Sequence, residues 1–149
     1  MWTWANKVAL LSTLAASWYM AGLIAFVHRV HYPLFERVDA PGFPAYHAGH
    51  TRLTTGVVLV PMLVELAGAA WLAARRPPGI APWAAWAGLA LAGFTWGVTA
   101  LAAVPAHRSL APGFDPAALQ RLMAADRARL AAWFAHAGIA ASMAWGAIR

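Results

Sequence analysis

Residues 8–30 read VALLSTLAASWYMAGLIAFVHRV, and this stretch decides the fold. From Val8 to Val27 it carries no charged side chain. At 1.5 Å per residue, a helix of about 20 residues crosses the roughly 30 Å hydrocarbon core of a bilayer. Lys7 and the small residues after it give the start a signal-like look, but the apolar run is longer than a signal core. The stretch is expected to stay attached as a first membrane span, Val8–Val30.

The rest of the chain repeats the pattern. A second span is expected over Leu53–Ala74, stopping at Arg75, Arg76, Pro77 and Pro78. A third covers Trp83–Val104 and ends at Pro105; a fourth covers Leu130–Ile148. Of the 149 residues 62% are apolar and only 11% charged, about half the charged share of a soluble domain. Such a chain cannot build a polar outer surface, so lipid is the solvent that fits. The net charge of +6 comes from residues at the ends of apolar segments, which argues against nucleic acid as a partner. There is no cysteine, which excludes disulfides and thiolate metal sites.

The fold class is therefore all-α: one domain, 1–149, an integral membrane four-helix bundle running up-down-up-down. Both termini and the Arg75–Pro82 loop fall on one side. The Glu36–Pro44 and Ala106–Phe114 loops fall on the other. Trp2, Trp4, Trp71, Trp83, Trp86 and Trp145 gather near the first side, as an interfacial belt does. Asp115-Pro116 is a cap followed by proline at the first helical position. It starts a helix that reaches Ile148, longer than a bilayer requires, and Phe43–Arg52 similarly leads into the second span.

Chemistry-bearing residues concentrate at the second side. His28 and His31 close the first helix, His47 and His50 open the second, and His107 follows the third. Residues three apart share a helix face, so each pair is expected to turn two imidazoles inward. Paired ligands on facing helices are how bundles build metal sites. Neutral imidazole suits iron, copper or zinc. Asp126 and Glu36 are candidate carboxylate ligands or supports to the histidines. The competing reading is a structural network of interfacial polar groups. Arg127 and Arg129, with Tyr32 and Tyr46, are candidates to hold a substrate, against snorkelling or interfacial anchoring. Pro33 is expected to bend or end the first helix and turn His28 and His31 toward the bundle axis.

Glu65 is separate, about 22 Å along the helix from His50 at helical rise. A carboxylate at that depth is protonated, paired or hydrogen-bonded. Thr95 and Thr99 are its candidate partners, in a proton path, a substrate anchor or a packing contact. His136 is expected about 15 Å further in than Asp126. Trp18 and Trp96 read as bundle packing or the wall of a hydrophobic cavity.

HYPLF after the first span, FPAYHAGH before the second, PMLVE within it, VPAH with GFD after the third and the L-x-x-W approach to the fourth resemble a family of small uncharacterised bacterial four-span membrane proteins. Pro105–His107 and Trp133–His136 more distantly resemble the anthrone-oxygenase-like four-span proteins. That resemblance implies oxidation of a hydrophobic, aromatic substrate. WYMAGLIAFVHRVHYPLF is also similar to the four-span haem-binding protoporphyrinogen oxidases. That family has a histidine earlier in the first helix and a later lysine; here none precedes His28 and none follows Lys7.

The expectation is a metal-dependent oxidoreductase of the bacterial inner membrane. Iron or copper, with zinc possible, would sit on the histidines, and a lipophilic substrate would enter from the bilayer. The alternatives are a haem protein, or a non-enzymatic small-molecule or ion carrier or accessory subunit; any of these could assemble as a homo-oligomer. Seven of the eleven Lys and Arg lie on the histidine face, which taken literally makes that face cytoplasmic. Several of those belong to the candidate site, so the sequence leaves orientation open.

Overall fold

The computed structural model of the chain describes residues 1–148. All regular structure among them is helical. The first rod comprises α1 (Trp4–Phe26), a π-helical turn (Val27–His31) and a 3-10 turn (Pro33–Arg37). The second is α2 (Phe43–Arg75). The third joins α3 (Pro82–Val98) through a second π turn (Thr99–Ala103) to the short α4 (Val104–Leu110), and the fourth is α5 (Pro116–Ile148). The first three rods are long and apolar enough to cross a membrane, as a multi-pass membrane protein requires.

Local chemistry sets the rod ends. The Thr3 hydroxyl accepts from Asn6 N–H at 3.2 Å and caps α1. Asp115 accepts from Ala117 N–H at 2.9 Å, with Pro116 opening α5 as its sequence signal predicts. Gly79 takes φ +87°, which lets the Arg75–Pro82 connection turn tightly.

Pro105 does not end the third rod. The third rod continues past Pro105, because the π turn before it moves hydrogen bonding to an i→i+5 register, with Val104 N–H on Thr99 O. That shift accommodates a residue with no N–H to give and a ring that crowds the preceding turn. Pro33 likewise lies beyond a π turn, closed by Tyr32 N–H on Val27 O at 2.9 Å, and opens a 3-10 turn.

The rods pack in a closed ring: α1 against α2 and α5, and α3 against α2 and α5. At one end Trp2 Nε1 donates to Pro78 O at 3.0 Å, and Trp71 Nε1 donates to the Asn6 side chain at 3.0 Å. Gly146 lies against Gly79 at the same end, too close for a side chain on either. Close approach between α1 and α2 depends on Gly68. A Cβ there would stand 2.1 Å from Thr13 Oγ1 and 3.1 Å from Ala9 O.

The outer surface is apolar, with Leu11, Val60, Leu63, Phe94, Leu101 and Phe134 all exposed. Helices apolar all round belong in lipid rather than water. Trp18 belongs to that outer surface. It is half exposed and meets Phe134 edge to face, 6.3 Å between centroids, so it packs neither the bundle interior nor a cavity. Trp96 turns inward and donates to Met62 O at 3.4 Å.

Candidate functional site

Four of the five face histidines meet. His31 comes from the first π turn, His47 and His50 from the start of α2, and His107 from α4. His31 Nε2 pairs with His50 Nδ1 at 2.7 Å, and His47 Nε2 with His107 Nδ1 at 3.1 Å. The two pairs abut: the His50 and His107 ring centroids are 5.5 Å apart, and those of His47 and His50 6.2 Å. The Tyr32 hydroxyl reaches His107 Nε2 at 3.3 Å, and the Thr54 hydroxyl reaches His50 Nδ1 at 3.2 Å. Each imidazole–imidazole bond needs one partner to donate, so the tautomers of a pair are linked. His50 Nε2 is buried and has no hydrogen-bond partner.

His28 goes elsewhere. Its Nδ1 lies 3.1 Å from Asp126 Oδ2, while the other Asp126 oxygen accepts from Arg129 NH2. The expected shared face of His28 and His31 assumes α-helical spacing, and both lie in a π turn. The wider turn increases the angle between residues three apart, so His28 addresses α5 and His31 addresses α2. Asp126 is therefore drawn to Arg129 and His28 rather than to the four-histidine cluster. Glu36 is exposed on the 3-10 turn, and Arg127 is exposed on α5. Tyr46 stacks on His31, 6.3 Å between centroids, at the outer edge of the cluster.

Two aromatic residues that sequence reasoning passed over hold the cluster together. Phe35 has no exposure, and its ring lies 5.5 Å from His31, 5.9 Å from His47 and 5.1 Å from His50, edge-on to each. Phe43 stacks flat on His47 at 5.8 Å. The signal was present in HYPLF, where Phe35 follows His31 by four residues, and in the position of Phe43 four before His47.

A cavity of about 410 Å³ lies beneath the cluster. Tyr32, His47, His50 and His107 line its head, and Met20, Met62 and Trp133 line its deeper part. Exposed residues of α2 (Ala48, Thr55) and of α4 (Val104, Arg108) also line it, so its mouth lies between those elements. That volume suits a small organic ligand. Arg129 is on the wall, donating to Thr99 Oγ1 at 3.4 Å, with its guanidinium 5.8 Å from the Trp133 ring; its Nε has no partner.

A second polar layer lies below. Glu65 and His136 are wholly buried. Trp133 Nε1 donates to Glu65 Oε2 at 2.8 Å, and His136 Nδ1 lies 2.8 Å from Glu65 Oε1. Thr95 and Thr99 are not partners of Glu65. Their hydroxyls donate back to Ala92 O and Thr95 O of their own rod, the usual recourse of threonine inside a helix.

Among the described residues no three histidine, aspartate or glutamate side chains converge as ligands of one ion. The cluster is two hydrogen-bonded pairs rather than a ready cage. Neutral imidazole is nonetheless a donor type that suits iron, copper or zinc. A tetrahedral centre with metal–nitrogen bonds of about 2.0–2.1 Å holds its donors roughly 3.4 Å apart. Within each pair the nitrogens, at 2.7 and 3.1 Å, would open by less than about 1 Å to reach that spacing, while the two pairs, 5.5 to 6.2 Å apart between ring centroids, would have to close on one another.

The chain matches no protein-family model, no curated protein and no solved structure.

Proposed function

We propose that the protein is a metal-dependent membrane oxidoreductase acting on a lipophilic substrate taken from the bilayer. The observation that carries this reading is four imidazoles gathered from three separate elements, three of them at the head of a cavity open between α2 and α4. His31, His47, His50 and His107 would hold iron or copper, an all-nitrogen set that suits either. His50 Nε2, buried without a partner, is the nitrogen most in need of one. When bound, the metal would supply the electron-transfer capacity that no side chain here has.

The chain's own residues bind and orient. Met20, Ile24, Val58 and Met62 offer an apolar wall to the substrate's hydrocarbon part. Arg129 on the same wall can hold a polar oxygen, and Tyr32 can pass or hold a proton at His107. Phe35 and Phe43 fix the ring planes and exclude water from behind the cluster. Desolvation there strengthens every polar contact with the substrate.

We also propose that α5 is a fourth span, giving an up-down-up-down bundle with both termini at one face of the bacterial inner membrane. The Trp2–Pro78 and Gly79–Gly146 contacts support that arrangement.

Elemental analysis and a visible spectrum of the chain purified into nanodiscs test the main reading. Stoichiometric iron or copper is expected, with at least a tenfold loss in His50→Ala and in His107→Ala. A protein that takes up neither metal on reloading, or variants that keep full occupancy, overturns it. A Soret band would transfer the reading to haem.

The pairing of the imidazoles with one another favours a second reading. As hydrogen-bonded pairs they form a polar rim for a carried solute, without redox chemistry. Metal-free protein that moves a lipophilic solute between vesicles is the result that would select it.

A further inference from the structure

Among the described residues six buried side-chain polar atoms lack a hydrogen-bond partner: Thr13 Oγ1, His50 Nε2, Glu65 Oε1, Arg129 Nε and both ring nitrogens of His136. Three of the six belong to one pair, Glu65 and His136. Their 2.8 Å contact is close enough for an ion pair, yet the oxygen is poorly aligned with the ring N–H and makes no proper hydrogen bond. A polar pair kept only to join α2 to α5 would be saturated, since each unmet group costs several kcal/mol in hydrocarbon. This pair is under-satisfied where satisfaction matters most.

We propose that Glu65 and His136 form a proton-holding site beneath the cavity floor, which exchanges one proton with whatever occupies the cavity. With that proton the pair is net neutral, the proton resting on Glu65 Oε1 or on His136 Nδ1. Moving it between those atoms across 2.8 Å separates or cancels charge without changing the total. Giving the proton to a ligand leaves one negative charge on the pair, and the ligand gains the positive one. The remaining carboxylate keeps the Trp133 indole donor and an imidazole N–H beside it.

The pair adjoins the cavity. Trp133 both lines the cavity and donates to Glu65, and Met62, one helical turn before Glu65, lines the cavity as well. The pair is thus one side chain below the floor. Among the described residues no other buried titratable group shares its depth. The buried residues of α1 and α3 include none, and on α5 the next is Arg129, about 10 Å away at helical rise. On the far side Gly88 makes room for the ring: a Cβ there would stand 3.2 Å from His136 Nε2. The proposal rests on the cavity and not on the metal.

The test is pH-jump infrared difference spectroscopy of the full chain in nanodiscs. Wild type is expected to show a protonated-carboxyl band in a dry environment, absent from Glu65→Gln. Trp133→Phe, which keeps the ring and removes the N–H, is expected to shift that band; His136→Gln is expected to keep it but abolish its response to pH. Metal content is measured on the same samples. It is unchanged in Glu65→Gln, so failure of the metal reading and of this one are separate results. Identical difference spectra for wild type and Glu65→Gln overturn the proposal. So does a Glu65 band that never changes with pH, and should Glu65→Gln not fold, the His136→Gln and Trp133→Phe spectra decide.

Discussion

Removing the Asp126 carboxylate should be the most damaging single polar change in the molecule. Asp126 has no exposure, and it accepts from Arg129, which is itself only 7% exposed, while contacting His28 at 3.1 Å. Asp126→Ala strands a buried guanidinium that already has one unpartnered nitrogen, Arg129 Nε. Breaking a buried pair by deleting one partner costs about 3–5 kcal/mol, mostly the penalty of the charge left behind. A chain of this size loses roughly 2–4 °C in Tm per kcal/mol, so a fall of about 10 °C is expected. Asp126→Asn keeps an acceptor for Arg129 and should lose about half as much. Tryptophan fluorescence during thermal unfolding in nanodiscs reads all variants. The decisive sample is Asp126→Ala/Arg129→Ala, in which nothing charged is stranded. It should be more stable than Asp126→Ala alone, although two side chains are gone. A double variant whose loss equals the sum of the two single losses would refute the pairing argument.

Phe35→Ala should cost about 3 kcal/mol as a large-to-small change at a fully buried ring, and should lower metal affinity with all four histidines intact. Parallel unfolding and metal titration check both halves. Gly68→Ala should destabilise by about 1–3 kcal/mol through overpacking, because its new methyl lands on Thr13 Oγ1. Adding Thr13→Ala should recover part of that loss in the same unfolding assay. Since the chain has no cysteine, single cysteines report sidedness cleanly. Arg76→Cys should react with an impermeant maleimide from one side of oriented vesicles, and Asp39→Cys and Pro112→Cys from the other. Labelling of all three from one side would break the proposed topology.

The helices were legible because the apolar runs of the first three rods are long and Asp115-Pro116 marks the start of the fourth; the Thr3 cap and the Gly79 turn went unread. The gathering of His31, His47, His50 and His107 followed from placing them at one depth. The departure of His28 did not, because a π turn is set by packing and leaves no spacing rule in the chain. Glu65 was recognisable as a buried carboxylate needing a partner, but choosing among partners required knowing how α5 is rotated. Thr95 and Thr99 lay at a plausible depth, and their hydroxyls are already spent on their own helix.

The rotation of α5 also explains why it is the least apolar of the four rods. Asp126, Arg129, Trp133 and His136 are spaced three, four and three residues apart, so they form one stripe, and all four are buried. Hydropathy sums residues without regard to direction, so a helix that turns its polar stripe inward scores as though it exposed it. The same stripe joins the two polar layers: Asp126 binds His28 at the level of the face, Arg129 lines the cavity, and Trp133 and His136 reach Glu65 below. Buried polar groups in hydrocarbon are costly and seldom arise without a task. Four on one face, engaging His28, Thr99 and Glu65, make α5 the element that joins both polar layers to the cavity.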